Sequence, residues 1–314
     1  MSDSVAVSPR QPAAPRVGRR SLTHGRLPYL LLLPALVLLG GVVVYPVGYG
    51  LWLAFNDKSL LSLDAKFIGL SNFRELVSDK VFLTSVRHTI QWTFLGVAGV
   101  MLVGLVLALL LNSPYVLGRR WLRSFFFLPW LTPTVVTAIV WSWLYNPTYG
   151  YINHALTKLN LIEEPLLFLS KPGLNLNAVV VPLVWRGYPF TMLVILAALQ
   201  SIDAALYEAA SIDGAGNWQR FRSITLPSLA PSLAILTLLQ TIWIFNHFDI
   251  PYQMTAGGPA HTSELLSTYA YNTVFGGTRQ GYGAAIATVM FVVLVVFGAI
   301  YIRLAVRRAE DLTQ

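Results

Sequence analysis

Long apolar stretches recur along this chain, with only short polar segments between them. Six of them, near residues 28–54, 89–112, 121–145, 179–201, 229–252 and 281–304, are long enough to span a bilayer. About 20 apolar residues of helix cover roughly 30 Å of hydrocarbon. Within lipid a helix satisfies its own backbone amides, which makes it the simplest solution for each stretch. Only 11% of residues are charged and the mean hydropathy is +0.60, whereas a soluble domain carries about a quarter charged residues. The expectation is an all-α membrane protein with six transmembrane helices. Prolines 34, 46, 129, 133, 182 and 189 fall inside the stretches, which membrane bundles tolerate better than soluble helices do. Cysteine is absent, which excludes disulfides, thiolate metal sites and cysteine nucleophiles.

The formal charge of +8 and pI near 9.8 raise the question of nucleic acid. In a membrane chain, arginine gathers at cytoplasmic helix ends instead, so no nucleic acid partner is expected. The N-terminal tail holds Arg10, Arg16, Arg19, Arg20 and Arg26, and the loop after the second stretch holds Arg119, Arg120 and Arg123. Arg220 and Arg222 follow the fourth stretch, and Arg303, Arg307 and Arg308 end the sixth. Several basic residues on the other side stand near Asp57, Asp64, Glu75 and Asp79. This asymmetry places both termini and the loop 201–228 in the cytoplasm. The resulting plan is a disordered basic tail at 1–26, a first span at 27–55 and an extracytoplasmic loop at 56–88. A five-span core at 89–304 and a cytoplasmic tail at 305–314 complete it. The first span is too long for the apolar core of a secretory signal and is read as uncleaved.

The loop 201–228 interrupts membrane helix with a short polar helix. Ser201 and Asp203 are N-cap candidates for a helix over 204–212. Leu206, Ala209 and Ala210 share a narrow face of that helix. Gly214 suits the left-handed conformation that stops a helix. Asn217 suits the cap of a second segment in which Trp218 and Phe221 share a face, and Pro227 punctuates the start of the fifth span. Such an element is a rigid knob for a partner in water, or an amphipathic helix on lipid or on its own bundle.

Glu208-Ala209-Ala210, then Gly214, then Ile224, Leu226 and Pro227 stand at the spacing that defines the EAA loop. The chain thereby resembles permease subunits of bacterial ATP-binding-cassette (ABC) importers. Leu32-Leu33-Pro34-Ala35, Tyr45-Pro46, Phe73, Trp185, Pro189-Phe190, Phe248-Asp249 and Thr255 to Pro259 extend the similarity. They point to the carbohydrate-uptake branch, and within it to the first-subunit type of maltose permeases. The resemblance implies a type I importer permease fold in the bacterial inner membrane. Glu208 to Gly214 would form the cytoplasmic coupling helix that docks on the ATPase. It also implies a cytosolic ATPase dimer using ATP and Mg, a second homologous permease, an extracytoplasmic binding protein and a sugar substrate. This chain itself would bind no cofactor. No lysine follows a glycine anywhere in it, so a Walker A loop is absent.

Polar groups inside spans are costly and mark candidate solute contacts. Asn246, Asp249 and Gln253 fall at i, i+3 and i+7 near the outer end of the fifth span, beside Phe245, Phe248 and Tyr252. Amides and a carboxylate next to aromatic faces suit a sugar. Interhelical hydrogen bonding near the interface suits the same residues. Arg186, between Pro182 and Pro189, is a second candidate, with snorkelling to the interface as its alternative. His88, His154, His247 and His261 lack metal-ligand spacing, so no metal is assigned. An ion-coupled secondary transporter is the rival function, with Asp249 the sole candidate for a coupling carboxylate. No HExxH or GxSxG appears, which leaves little for an intramembrane enzyme.

Overall fold

The computed structural model describes residues 27–311, and the tail expected at 1–26 lies outside them. The chain divides into two units at Tyr49 and Gly50. In the first, α1 (Leu27–Leu39) passes through a π turn at Gly40–Val44 into α2 (Tyr45–Leu53). Its apolar side chains are exposed, Leu31 by 73% and Tyr45 by 70%, as suits a helix solvated by lipid.

The π turn ends two residues before Pro46, and another, Phe221–Thr225, ends two residues before Pro227. Proline lacks an N–H and its ring presses on the carbonyl four residues back. A widened turn relieves that pressure while the neighbouring amides reach one residue further. Tyr45 N–H meets the Gly40 carbonyl, and Leu226 N–H meets that of Phe221.

The second unit takes in the last turn of α2 and then an antiparallel hairpin of β1 (Asn56–Lys58) and β2 (Ala65–Phe67), with Asp57 opposite Lys66. The helices α3 (Ser71–Ser78) and α4 (Lys80–Asn112) follow. The segment 56–88, expected as a loop, is therefore helical over much of its length, because Asp79 caps α4 well ahead of residue 89. The Asp79 carboxylate accepts from the amides of Val81 and Phe82 at 2.8 and 3.2 Å. It also accepts from the hydroxyls of Tyr269 and Tyr282 at 2.5 and 2.6 Å. Burial works against its charge, but the two hydroxyls and two amides outweigh it and hold Asp79 below the usual carboxylate range. Beside it, Arg279 grips Glu75 with two bonds of 2.7 and 2.6 Å.

The third stretch is not one straight helix. α5 (Arg119–Leu131) and α6 (Thr134–Leu144) meet at a bend of 94°. Pro133 forces Thr132 out of helical geometry, to ψ 131°, while Pro129 stays inside α5. Next come α7 (Tyr151–Lys158) and α8 (Asn175–Gln200), then α9 (Ala204–Ile212) and α10 (Asn217–Arg220). α11 (Leu226–Phe245), α12 (Asp249–Thr255), α13 (Leu266–Tyr271) and α14 (Gln280–Asp311) complete the order. α14 runs past residue 304, so the expected tail at 305–314 begins as helix. Among the described residues five helical runs are long and apolar enough to cross a membrane, or six when the bent pair counts as one span.

α4 and α8 lie parallel, seamed by small residues. Gln91 donates to Asn177 at 2.9 Å; further along, Gly96 faces Leu183 and Gly104 faces Thr191. A Cβ on Gly104 would come within 2.9 Å of the Thr191 Cβ and 3.1 Å of the Met192 backbone nitrogen. Small residues let two backbones approach in lipid, where burial of apolar surface drives nothing. α11 runs antiparallel to this pair. Gln240 donates to Thr191 at 3.0 Å and Trp92, fully buried, donates to the Ile244 carbonyl at 2.9 Å. The 201–225 segment thus shares one end of this unit with the 113–118 turn, and the hairpin and the 256–279 segment lie at the other.

Candidate functional site

The 201–225 segment is a projecting lever. Asp203 caps α9 by accepting the Ala205 amide at 2.9 Å, while the Ser201 hydroxyl turns back to the Ala198 carbonyl. The helix stops through two paired bonds, Ala215 N–H to the Ala210 carbonyl at 2.9 Å and Gly214 N–H to that of Ser211 at 3.1 Å. This closure requires a left-handed residue, and Gly214 supplies φ +79°. A Cβ there would meet nothing within 4 Å, so the demand is conformational and not steric.

α9 buries none of its residues. Glu208 and Ala209 are exposed, Ala210 is half-buried, and Leu206 and Ile212 stand 50% and 87% open. The lever is nevertheless braced. Arg220 donates to the Ser211 hydroxyl at 2.9 Å, which donates to the Tyr207 carbonyl at 2.7 Å. The Tyr207 hydroxyl meets that of Thr225 at 2.9 Å. Asn217 does not cap α10; Gly216 takes that position, and the Asn217 side chain accepts from Arg220 at 3.2 Å. Trp218 and Phe221 stack as their spacing suggested, 5.5 Å apart. Ile224 is half-buried, and Leu226 and Pro227 are exposed. Pro227 marks no new helix start, because α10, the π turn and α11 form one helical run. The lever is the foot of the fifth span.

Further along that run lies a cavity of about 90 Å³, lined among others by Trp130, Arg186, Phe190, Gln240, Trp243 and His247. Arg186 does not reach for the interface. Its Nε donates to the Thr132 carbonyl at 3.0 Å, a carbonyl left open where Pro133 breaks the helix. Trp243 packs against Phe190 at 5.5 Å, and His247 lies over Trp92 at 6.3 Å. The buried Nε2 of His247 has no hydrogen-bond partner among the described residues. The cavity therefore combines aromatic faces, a guanidinium, an amide and an unsatisfied imidazole nitrogen.

The stripe expected at Asn246, Asp249 and Gln253 does not lie on one unbroken helix. α11 ends at Phe245, and Asn246, His247 and Phe248 precede the start of α12 at Asp249. All three stripe residues are exposed, and none lines the cavity. Phe245 turns away into the core with Tyr282 and Leu266. Phe248 and Tyr252 stack at 4.7 Å and gather Tyr271, each 4.9 Å from it. Gln240, Trp243 and His247 were missed in the sequence, although they repeat the i, i+3, i+7 spacing six residues earlier. A lone glutamine in the middle of an apolar span was the available signal.

Residues 100–311 match the family described as the binding-protein-dependent transport system inner membrane component. The chain belongs to that family. It is 36% identical over 280 residues to the sulfoquinovosyl glycerol transport system permease protein of Agrobacterium fabrum, covering 88% of this chain and 90% of that protein. It is also 36% identical to the trehalose/maltose transport system permease protein of Thermococcus litoralis, covering 89% and 94%. Its fold matches a chain of a bacterial alginate ABC transporter, solved in complex with an alginate pentasaccharide-bound periplasmic protein. There the TM-score is 0.76 and the identity 27%, over 88% of this chain and 92% of that one. The chain accordingly has the type I ABC importer permease fold and is a multi-pass inner membrane component of a binding-protein-dependent transporter.

Proposed function

We propose that this chain is a non-catalytic permease subunit that carries a sugar or oligosaccharide into the cell, driven by ATP hydrolysed with Mg in a separate cytosolic ATPase dimer. One observation carries the reading: a single helical run, α10 through α11, leads from the base of the lever to the cavity, and the Arg220–Ser211 and Tyr207–Thr225 bonds brace α9 onto its foot. Movement imposed on Glu208 to Gly214 would pass through those braces into the run and along it to Gln240 and Trp243, with His247 just past its end. The basic residues at the lever end support a cytoplasmic lever and cytoplasmic termini. Exposed Leu206, Ile212 and Trp218 suit a protein cleft.

The cavity, about 90 Å³, is well short of the roughly 300–1,000 Å³ that encloses a small-molecule ligand. It makes half a site, and a second homologous permease would supply the rest. Aromatic faces and hydrogen-bonding groups suit a sugar's C–H surfaces and hydroxyls. The relatives' substrates, a sulfoquinovosyl glycerol, trehalose or maltose, and alginate, support that class, and an extracytoplasmic binding protein would deliver it. No observation favours ion coupling. Asp249 is the only carboxylate within the apolar runs among the described residues, and it is exposed beside a helix break.

The test is reconstitution of this chain with its second permease, ATPase and binding protein in proteoliposomes. Uptake of labelled sugar that needs ATP and the binding protein is the expected result. Uptake driven by a proton or sodium gradient without ATP would overturn the reading.

A further inference from the structure

The end of the unit that carries the lever also holds an open cavity of about 750 Å³, at the start of α5. Gly118, Arg119, Arg120, Arg123 and Ser124 line it, so among the described residues three guanidiniums meet there and no carboxylate does. Arg120 is exposed and Arg119 half-buried, and neither side chain has a hydrogen-bond or ion-pair partner among the described residues. Arg123 reaches the Leu111 carbonyl through one Nη at 3.4 Å, while its buried Nε has no partner among the described residues. A buried nitrogen of that kind marks a place for an acceptor.

The direction of the helix sharpens the demand. A helix N-terminus carries partial positive charge, and cations there are unfavourable. α5 nonetheless begins with Arg119 and Arg120 and puts Arg123 one turn on, with no acidic residue in its first turn and no side chain capping it. Its guanidiniums and its first-turn amides all lack an anion, and one phosphate group would meet both.

What lies beyond the arginines selects the kind of phosphate. Arg120, Ser124, Leu128 and Leu131 stand at i, i+4, i+8 and i+11, along one side of α5. All four are exposed, so that side passes from cationic to apolar within about three turns. Trp121 and Phe125 are exposed beside it, as are Tyr115 and Leu117 in the turn before it. Such side chains put the arginines at the level where a bilayer's headgroups meet its acyl chains. A soluble phosphate or an acidic protein surface would leave the apolar stretch unused.

We propose that this cavity holds the phosphate of an anionic phospholipid whose acyl chains lie along Leu128 and Leu131. Planar guanidiniums suit phosphate oxygens in pairs, and basic residues at a membrane surface favour anionic over neutral lipid. The orientation proposed above puts this lipid in the inner leaflet.

The experiment uses the full reconstituted complex in phosphatidylcholine nanodiscs with a minor share of phosphatidylglycerol brominated near its headgroup. Bromine quenches nearby tryptophan fluorescence, and brominated phosphatidylcholine gives the baseline. The parent should show excess quenching by the anionic lipid, and Trp121→Phe should remove most of that excess. In the double variant Arg119→Gln, Arg120→Gln the preference for phosphatidylglycerol over phosphatidylcholine should fall about tenfold or more, with the helix content of the parent. Arg119→Lys, Arg120→Lys should keep most of it. An unchanged preference in the glutamine variant overturns the proposal, as does an excess that survives Trp121→Phe. No excess in the parent also overturns it, the result expected if the ATPase covers the arginines. Displacement of the lipid by inorganic phosphate at constant ionic strength overturns it in favour of a soluble anion. Sugar uptake is scored separately, so none of these outcomes decides the importer reading.

Discussion

The lever and the inner cavity stand at the two ends of one helical run yet are made in opposite ways. The lever's contacts are local: Asp203 caps it, Gly214 turns it, and Tyr207, Arg220 and Thr225 brace it. Its outer face is exposed, so substitutions there should leave the fold largely intact. The cavity gathers Trp130, Arg186, Gln240 and His247 from distant parts of the chain. Its geometry depends on close backbone packing, and damage there spreads into stability. On the proposed roles, coupling at the lever should be separable from folding, and solute contact at the cavity should not.

Gly214→Val attacks that contrast with the largest expected effect. A β-branched residue at positive φ costs about 1–2 kcal/mol, and about 1.4 kcal/mol is a factor of ten in an equilibrium. The new side chain meets open space, so membrane insertion should match the parent, with the strain confined to the turn that ends α9. Sugar taken up per ATP hydrolysed should fall about tenfold or more. Normal coupling, read as uptake and phosphate release in the same proteoliposomes, would break the comparison.

Gly104→Ala is the counterpart in the packed region. Its Cβ meets the Thr191 Cβ and the backbone of Met192, neither of which retreats easily, and overpacking typically costs about 1–3 kcal/mol. Gly96→Ala should cost less, because the atoms it meets are side-chain ends of Leu183 and Ile244. Denaturant unfolding in detergent ranks the two. Equal losses would mean that the α4–α8 seam is softer than its contacts suggest.

These pairs also show what the sequence could and could not disclose. The helix over 204–212 and its glycine stop are decided by neighbours within a few residues, and caps and turns obey local rules. Proline is where local reading divided. Pro129 stayed in its helix and Pro133 broke one, and only the Arg186 bond to the Thr132 carbonyl shows what accommodates the difference. The polar stripe departs from a single helical face for a related reason. Asn246 to Gln253 and Gln240 to His247 have the same spacing, and which set faces a cavity is decided by α5 and α8, more than 40 residues away. Helix spacing names a face without naming what lies opposite.

Asp79→Asn probes the far end of the unit with a smaller effect. Asn keeps the cap on α4 but gives up the charge that accepts the Tyr269 and Tyr282 hydroxyls, a loss of about 1 kcal/mol at neutral pH. Because the folded state holds Asp79 below the usual carboxylate range, its contribution is full above the unfolded value. That contribution is lost as pH falls through the depressed folded one. The parent should therefore lose stability over that acid window and Asp79→Asn should lose less of it, which thermal unfolding across pH reads directly. Parallel curves would remove the carboxylate from the account.

The smallest effects should come from Asn246→Ala and Gln253→Ala. Both side chains are exposed and neither lines the cavity; the Asn246 amide donates only to the Ile242 carbonyl one turn back. Exposed substitutions away from buried features usually shift stability by no more than about 0.5 kcal/mol, and neither should alter the KM for uptake by more than about twofold. A tenfold rise in KM for Asn246→Ala would restore the stripe as the solute contact. It would place the pathway across the helix break, between this permease and its partner, and reduce the Arg186–His247 cavity to packing.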